Sequence, residues 1–444
     1  MFDYTARLRD ILYVRFTDHF ASFPSRVLAG ISPPNPLRRL LKVLGYAALR
    51  LVGNVFQPIR NREQLRGAVW LYVVSQNNYE ALEFLRAAVP GAVLVAGQSK
   101  QIGRYHAVVN RLSLRRKLLY YGQFPGVLLG LARVEGRRAW RFFDLVFNAV
   151  GYYEVYGRAL RHYRPRAVVF ANDHNDDARA LLLACRAAGV PTAYVQHASV
   201  SASFPPLGFN LSLLEGQDAL DKYRRCGPVA GRVELVGMPK ADAFLDRQNR
   251  QPQVRRVGLA CNLLDDTAAL TAAVTHLLRE FPELQFTFRA HPSDPRDFTA
   301  LRQQHPQLRF SDARQQNVFE FLTGQDALIA ADTSTHLEAT LLNVSSIYFR
   351  FGAHGVAEDY YGYVAHGLVE QAHTLPELSK LLRGYQRHKP ADLYRRAAYY
   401  NATLGTPDEG HSQQRAARLL RAWLEGYGQA TGPAEDIKGT RGGR

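Results

Sequence analysis

Cysteine is scarce in this 444-residue chain: Cys185, Cys226 and Cys261 stand far apart and form no CxxC pair. That argues against a disulfide framework or a cysteine-built zinc site and fits a reducing compartment. Long apolar runs are missing too. No stretch approaches the roughly 18 unbroken apolar residues that span a bilayer. Met1–Asp10 mixes acids with arginines where a secretory leader would carry an apolar core. These absences point to a cytoplasmic protein, free or peripheral at the inner face of the plasma membrane.

Acids are also short, 39 against 56 lysines and arginines, for a formal charge of +17. The surplus is local. Residues 1–165 hold 25 basic and 9 acidic side chains, whereas the rest of the chain holds 31 and 30. A charged third on a neutral remainder speaks against a protein that coats nucleic acid over its whole surface. It leaves room for a basic patch facing an anionic membrane, a phosphorylated substrate or a nucleic acid. With 47% hydrophobic residues, the chain can bury sizeable cores, and its length suits two or three domains.

Residues 1–67 read as a basic helical extension. Within it, Leu37–Phe56 interleaves leucines with Arg38, Arg39, Lys42 and Arg50 after the Pro33-Pro34-Asn35-Pro36 break. Such a helix can lie in a membrane interface, or pack on its own domain with its arginines in water. From Ala68 the pattern becomes strand–helix alternation. Expected strands are 69–74, 92–96, 167–171, 192–196, 211–214 and 233–236, interrupted by a basic, largely helical stretch over 104–164. Residues 245–253 (LDRQNRQPQ) read as a linker. A second series follows, with strands at 257–260, 285–289, 327–330 and 346–349. Helices fill 375–425, and 429–444 reads as a disordered tail. The expectation is an α/β chain with one Rossmann-like domain at 68–245, a second at 254–385 and C-terminal helices at 386–428. Each domain is a parallel sheet wound by helices, and ligands belong beyond the carboxyl ends of the strands.

The candidate residues fall at those ends. Arg289, His291 and Pro292 follow one strand, where a histidine and an arginine can meet an anion; a turn-capping histidine is the alternative. Thr333, Ser334 and Thr335 open a helix that carries Glu338. Hydroxyls and backbone N–H groups there suit a phosphate, the carboxylate suits ribose hydroxyls, and ordinary N-capping is the alternative. Asp173 and His174 follow another strand inside a run of acids. A metal is disfavoured there, because Asp176 and Asp177 suit a helix start. His197, after Gln196, is placed to act as a general base or is satisfied by local backbone.

Together these residues resemble GT-B glycosyltransferases of bacterial surface-polysaccharide synthesis, among them capsular Kdo transferases, polysialyltransferases and CDP-glycerol glycerophosphotransferases. The resemblance covers about residues 165–375. His291-Pro292 and Ser334-Thr335 match the order and spacing of the HP motif and the later hydroxyl pair. Asp332–Phe349, Tyr194–His197 and Val236–Asp242 resemble further family segments. Ala198 stands where a glycine is usual, and Ser345 where a proline is common. The resemblance implies two Rossmann-like domains facing a cleft and transfer of a sugar or glycerol phosphate from a nucleotide-activated donor to a cell-surface glycan or lipid-linked acceptor. Arg289, His291, Pro292, Thr333, Ser334, Thr335 and Glu338 would bind the donor, and His197, Asp173 or His174 would serve catalysis. No cofactor, metal or nucleic-acid partner is implied. A non-hydrolysing sugar-nucleotide epimerase of the same fold is the main rival; a nucleic-acid binder is a lesser one, since no recognisable nucleic-acid module is present.

Overall fold

The computed structural model describes residues 2–56, 62–98, 108–353, 357–390 and 393–430. Its first sheet contains β1 (Val69–Tyr72), β2 (Ala92–Gly97), β3 (Asn110–Leu112), β4 (Ala167–Phe170), β5 (Thr192–Val195), β6 (Leu211–Leu214) and β7 (Arg232–Leu235). Every pairing is parallel, in the order β3-β2-β1-β4-β5-β6-β7. The second contains β8 (Arg256–Cys261), β9 (Gln285–Ala290), β10 (Arg309–Ser311), β11 (Ala327–Ala330), β12 (Ser345–Phe349) and β13 (Glu370–Ala372). It is also parallel throughout, in the order β10-β9-β8-β11-β12-β13. In both, the strand order reverses beside the first strand. The crevices at β1/β4 and β8/β11 are therefore the switch points where open α/β sheets receive ligands.

Parallel strands are buried on both faces and read as continuous apolar runs. Trp70, Tyr72, Val168, Phe170 and Tyr194 face one core, whereas Val69, Leu71, Ala167, Val169 and Val195 face the other. The first core is covered in part by the extreme N-terminus. Helix Phe2–Ile11 and the turn Tyr13–Phe16 bury Leu8, Ile11, Leu12 and Phe16 there, so the N-terminal extension shares the core of the first domain. The second core is covered by helix Gln76–Ala88 and by the last helix, Ser412–Ala430, whose Ala416, Ala417, Leu420 and Leu424 join that core against β6 and helix Gln76–Ala88. The chain thus leaves the first domain after β7 and returns to it at the end.

Most expected elements are present, with three additions. β3, β10 and β13 are three-residue edge strands, too short to show periodicity, and β3 lies inside the stretch read as helical. The last helix runs through Ala430, two residues into the expected tail, and residues from 431 lie outside those described, as do 104–107. The linker is not slack. Asn249 is buried and donates from Nδ2 to the Gln325 carbonyl at 2.8 Å and to Asp326 Oδ1 at 2.7 Å, and Lys389 Nζ donates to its Oδ1 at 3.0 Å. Helix Pro36–Phe56 is present, and it does not pack on its domain with all its arginines in water. Arg39 and Arg50 are buried, and the exposed positions include Leu37, Leu40, Leu41 and Leu44. Among the described residues no helix is long and apolar enough to cross a membrane.

The returning helix makes the core of the first domain depend on the far end of the chain. Leu420→Ala removes a fully buried side chain from that seam. Urea denaturation should show a loss of about 2–5 kcal/mol. A loss below ~0.5 kcal/mol would mean that the helix is not part of this core.

Candidate functional site

The residues that sequence reasoning selected lie at the carboxyl ends of β4, β5, β9 and β11, at or beside the two switch points. Beyond β4, Asn172 Oδ1 accepts from the backbone N–H groups of His174 and Asn175, which folds the loop back on itself. Asn175 then caps helix Asp176–Ala187 by accepting from Asp177 N. Asp176 and Asp177 are thus first-turn helix residues, and among the described residues no group of three His, Cys, Asp or Glu is arranged to hold a metal ion. Asp173 is buried, and both of its oxygens are occupied. His174 Nδ1 lies 2.9 Å from Oδ1, and the Tyr223 hydroxyl donates to Oδ2 at 2.5 Å. Burial pushes this carboxyl up, but the hydrogen bond and charge of His174, the Tyr223 hydroxyl and the field of His197 outweigh it and hold the group below the usual carboxylate range. The bond to Asp173 fixes the His174 ring by its Nδ1 and leaves Nε2 uncommitted to that partner.

His197, just beyond β5, stacks on His174 with ring centres 6.4 Å apart and planes 20° apart. Loss of water around its ring, the nearby His174 and the Lys240 ammonium lower it to about 3, against the opposing pull of Asp173. His197 is therefore neutral over the whole physiological range. It hydrogen-bonds the Ala171 carbonyl, and its Nδ1 has no hydrogen-bond partner. Gln196 turns the other way, donating to the Ala198 carbonyl at 3.0 Å and to Glu215 Oε2 at 3.3 Å, and accepting from Glu215 N at 2.9 Å.

Glu215 is the residue that sequence reasoning missed. It follows β6 as a single acid and carries no local motif. It is buried, and desolvation raises its carboxyl to about 8, with Lys240 opposing and Glu338 and Asp218 adding to the rise. A signal existed: an acid directly after a four-residue apolar strand is placed at the ligand end of a parallel sheet.

In the second domain, Asp332 is held by the Tyr348 hydroxyl at 2.7 Å and by Tyr360 N at 2.8 Å, and so does not cap the following helix. Ser334 occupies the N-cap of helix Thr335–Leu341 without a side-chain capping bond, so its hydroxyl is not spent on the helix. Thr333 Oγ1 accepts from Thr335 N at 3.2 Å and lies 3.0 Å from Thr335 Oγ1. His291 Nδ1 accepts from Ser293 N at 3.1 Å, which places the ring proton on Nε2. Pro292 sits beside it in the exposed turn. Arg289 points toward the sheet edge. It donates to Ser311 Oγ at 2.6 Å and to the Gln316 carbonyl at 2.7 Å, and its guanidinium lies over the Phe321 ring.

Lys240 joins the two halves. It rides on the turn after β7, where Gly237 has φ +82°, a conformation that an L side chain resists. An added Cβ at Gly237 would also collide with Ser412 and Thr403. The last helix grips this turn, since Gln413 N donates to Asp242 Oδ2 at 2.7 Å and Gln413 Nε2 to the Pro239 carbonyl at 3.0 Å. From there the Lys240 ammonium pairs with buried Glu338. Burial alone would lower this amine, but Glu338, and Glu215 where that acid is ionised, overcome it and raise the group. Further cross-domain contacts come from residues after β12. Tyr363 meets Ser199, Tyr360 meets Ser201 at 2.5 Å, and Lys222 donates to the Tyr361 carbonyl at 2.6 Å. Lys240 thus carries its charge to Glu338, within the field of Glu215 and His197, while Asp173 and His174 adjoin His197. His291 and Arg289 have their hydrogen-bond partners within their own domain.

No protein-family model and no curated protein matches the chain. Solved structures match it in fold. S. aureus MnaA, in a structure with UDP, aligns with TM-score 0.50 and 13% identity over 81% of this chain and 97% of its own. A UDP-N-acetylglucosamine 2-epimerase aligns with TM-score 0.50 and 10% identity over 84% and 100%. The wall teichoic acid polymerase TagF, soaked with CDPG, aligns with TM-score 0.50 and 10% identity over 88% and 99%. These neighbours share the GT-B architecture, and so does this chain: two Rossmann-like domains with a cleft between their strand ends.

Because folding raises the Glu215 pKa to about 8, the native state keeps a proton that the unfolded chain releases above about pH 4.5. Stability contributed by this group is therefore complete below that value and is lost as the pH rises through 8. Glu215→Gln keeps the shape and the Gln196 contact without the charge. Thermal melts should show the variant gaining on the parent as the pH rises from 5 to 8, and an equal difference at both pH values would contradict the buried-acid assignment.

Proposed function

We propose that the protein is a transferase that moves a sugar, or a glycerol phosphate, from a nucleotide-activated donor to a cell-surface glycan or lipid-linked acceptor. The observation that carries this reading is the confrontation of two switch points bridged by Lys240. One side holds an Asp–His pair and the other a helix start with an uncommitted hydroxyl. In this reading the donor phosphates lie at Ser334, Thr335 and their backbone N–H groups, with His291 donating from Nε2. Arg289 contributes positive field while bracing the Ser311–Gln316 segment. Glu338 faces the ribose, and Lys240 limits how far it can move.

The base is best assigned to His174, not His197. A base needs affinity for a proton near neutral pH; His197 is too acidic as an imidazolium, whereas His174 is oriented by the Asp173 carboxylate at its Nδ1, which aims Nε2 outward as in a triad. His174 Nε2 takes the acceptor hydroxyl proton as the acceptor oxygen bonds to the transferred carbon or phosphorus. The bond to the nucleotide phosphate breaks, and the departing charge is met by His291 and the helix start. The acceptor belongs to the first domain, whose basic N-terminal part suits an anionic or lipid-linked partner and peripheral attachment to the inner membrane face.

The epimerase reading is favoured by the neighbours that carry that name, and it predicts turnover of a UDP-sugar alone. We expect calorimetry to show micromolar binding of one among UDP, CDP, CMP and GDP, weakened about tenfold in Ser334→Ala and His291→Ala, ~1.4 kcal/mol each. His174→Ala should leave that binding intact and lower kcat by roughly 10²–10⁴-fold. Absence of binding by all four nucleotides, or an epimer formed without acceptor, would overturn the transferase reading.

A further inference from the structure

Helix Pro36–Phe56 packs against the protein by its charged side. Arg39 and Arg50, with Val43 and Gly53, form its buried stripe. Arg39 donates to the Trp140 carbonyl at 2.9 Å and to that of Arg141. Lys42 bonds the Ile31 carbonyl and reaches Asp144 at 3.0 Å, and Arg50 donates to Asn148 Oδ1 at 3.3 Å. The opposite stripe, at the same helical spacing, is apolar and in water: Leu37 is 64% exposed, Leu44 57%, Leu51 56% and Val55 78%, with Leu40 and Leu41 between them. An ordinary surface helix does the reverse. Single exposed leucines need no explanation, but a contiguous stripe marks an interaction face.

The neighbours continue the face. Leu119, 73% exposed, stands on the turn Arg115–Gln123, and Trp140, 51% exposed, offers its carbonyl to Arg39. Exposed Arg38, Arg115, Arg116, Arg133 and Arg137 lie on the same group of elements. Cations around an apolar stripe oppose pairing with a second copy, which would bring like charges together. They match a surface of apolar chains under anionic headgroups.

We propose that this face seats in the interface of an anionic bilayer, with helix Pro36–Phe56 in the membrane plane, its leucines below the headgroups and the exposed arginines on the phosphates. The proposal rests on the peripheral-attachment reading above and deepens it. Attachment comes from apolar insertion, because Arg39 and Lys42 are committed to protein partners and are not free to hold lipid. The same N-terminal layer reaches the cleft: His19 stacks on Tyr360 with ring centres 4.1 Å apart, and Arg26 donates to the Leu264 carbonyl at 2.6 Å.

The test is co-sedimentation of the full chain with vesicles of phosphatidylglycerol and phosphatidylcholine, or of phosphatidylcholine alone. The parent should bind the anionic vesicles preferentially. L40Q/L44Q/L51Q, three changes at exposed positions, should lower the partition coefficient roughly tenfold or more while keeping the parental melting temperature and nucleotide response. Undiminished binding by the triple variant would overturn apolar insertion and leave peripheral attachment standing. Equal binding to both vesicle types would overturn the headgroup contribution. Absence of binding to either, or a dimer seen by light scattering that the variant dissolves in the absence of lipid binding, would overturn the membrane assignment altogether.

Discussion

A parallel sheet has to be covered on both faces, because its strands are apolar on both, and that requirement arranges most of this molecule. The seven strands of the first sheet span only Val69–Leu235, and the helices between them leave apolar surface uncovered. The chain completes the cover from outside, with Leu8, Ile11, Leu12 and Phe16 on one face and Ala416, Leu420 and Leu424 on the other. Helices Phe2–Ile11 and Ser412–Ala430 are thus structural parts of the first domain. The returning helix has a second effect. By gripping Pro239 and Asp242 it fixes the turn that holds Lys240, so a packing requirement on one sheet positions a charge in the seam between the domains.

That charge organises the electrostatics of the cleft. A lone ammonium in this seam would be costly, and Lys240 is kept charged chiefly by Glu338 across the seam. Its field helps keep His197 neutral, while Asp173, sealed under Tyr223, keeps its negative charge beside His174. Two histidines that look equivalent in sequence, each at the end of a strand, are separated in this way into one ring that stays neutral and one backed by a carboxylate. Environment separates the two rings.

The surplus of basic residues in the first 165 positions also divides once the packing is known. Arg39, Lys42 and Arg50 are bound to carbonyls and side chains of the protein, whereas Arg38, Arg115, Arg116, Arg133 and Arg137 are exposed beside apolar side chains. Counting charges treats the two sets alike. The inward set satisfies backbone carbonyls where short helices end, and the outward set is available to a partner.

The strand–helix alternation, the two sheets and the placing of His197, Asp173, His291 and Ser334 just beyond strands were legible in the sequence, because parallel strands are short apolar runs and ligand ends follow them. The edge strands at 110–112, 309–311 and 370–372 were not, since three residues carry no period. The stretch 245–253 reads as polar linker because the buried role of Asn249 rests on partners at 325, 326 and 389. Glu215 lay outside any motif, and Lys240, although inside the Val236–Asp242 segment, was not singled out, because its ion pair with Glu338 spans 98 positions and no local pattern encodes it. The sequence by itself determined that helix Pro36–Phe56 is amphipathic, because periodicity is a local property. Which side faces the protein was decided only by tertiary structure, through the carbonyls of Ile31, Trp140 and Arg141 that await its cations.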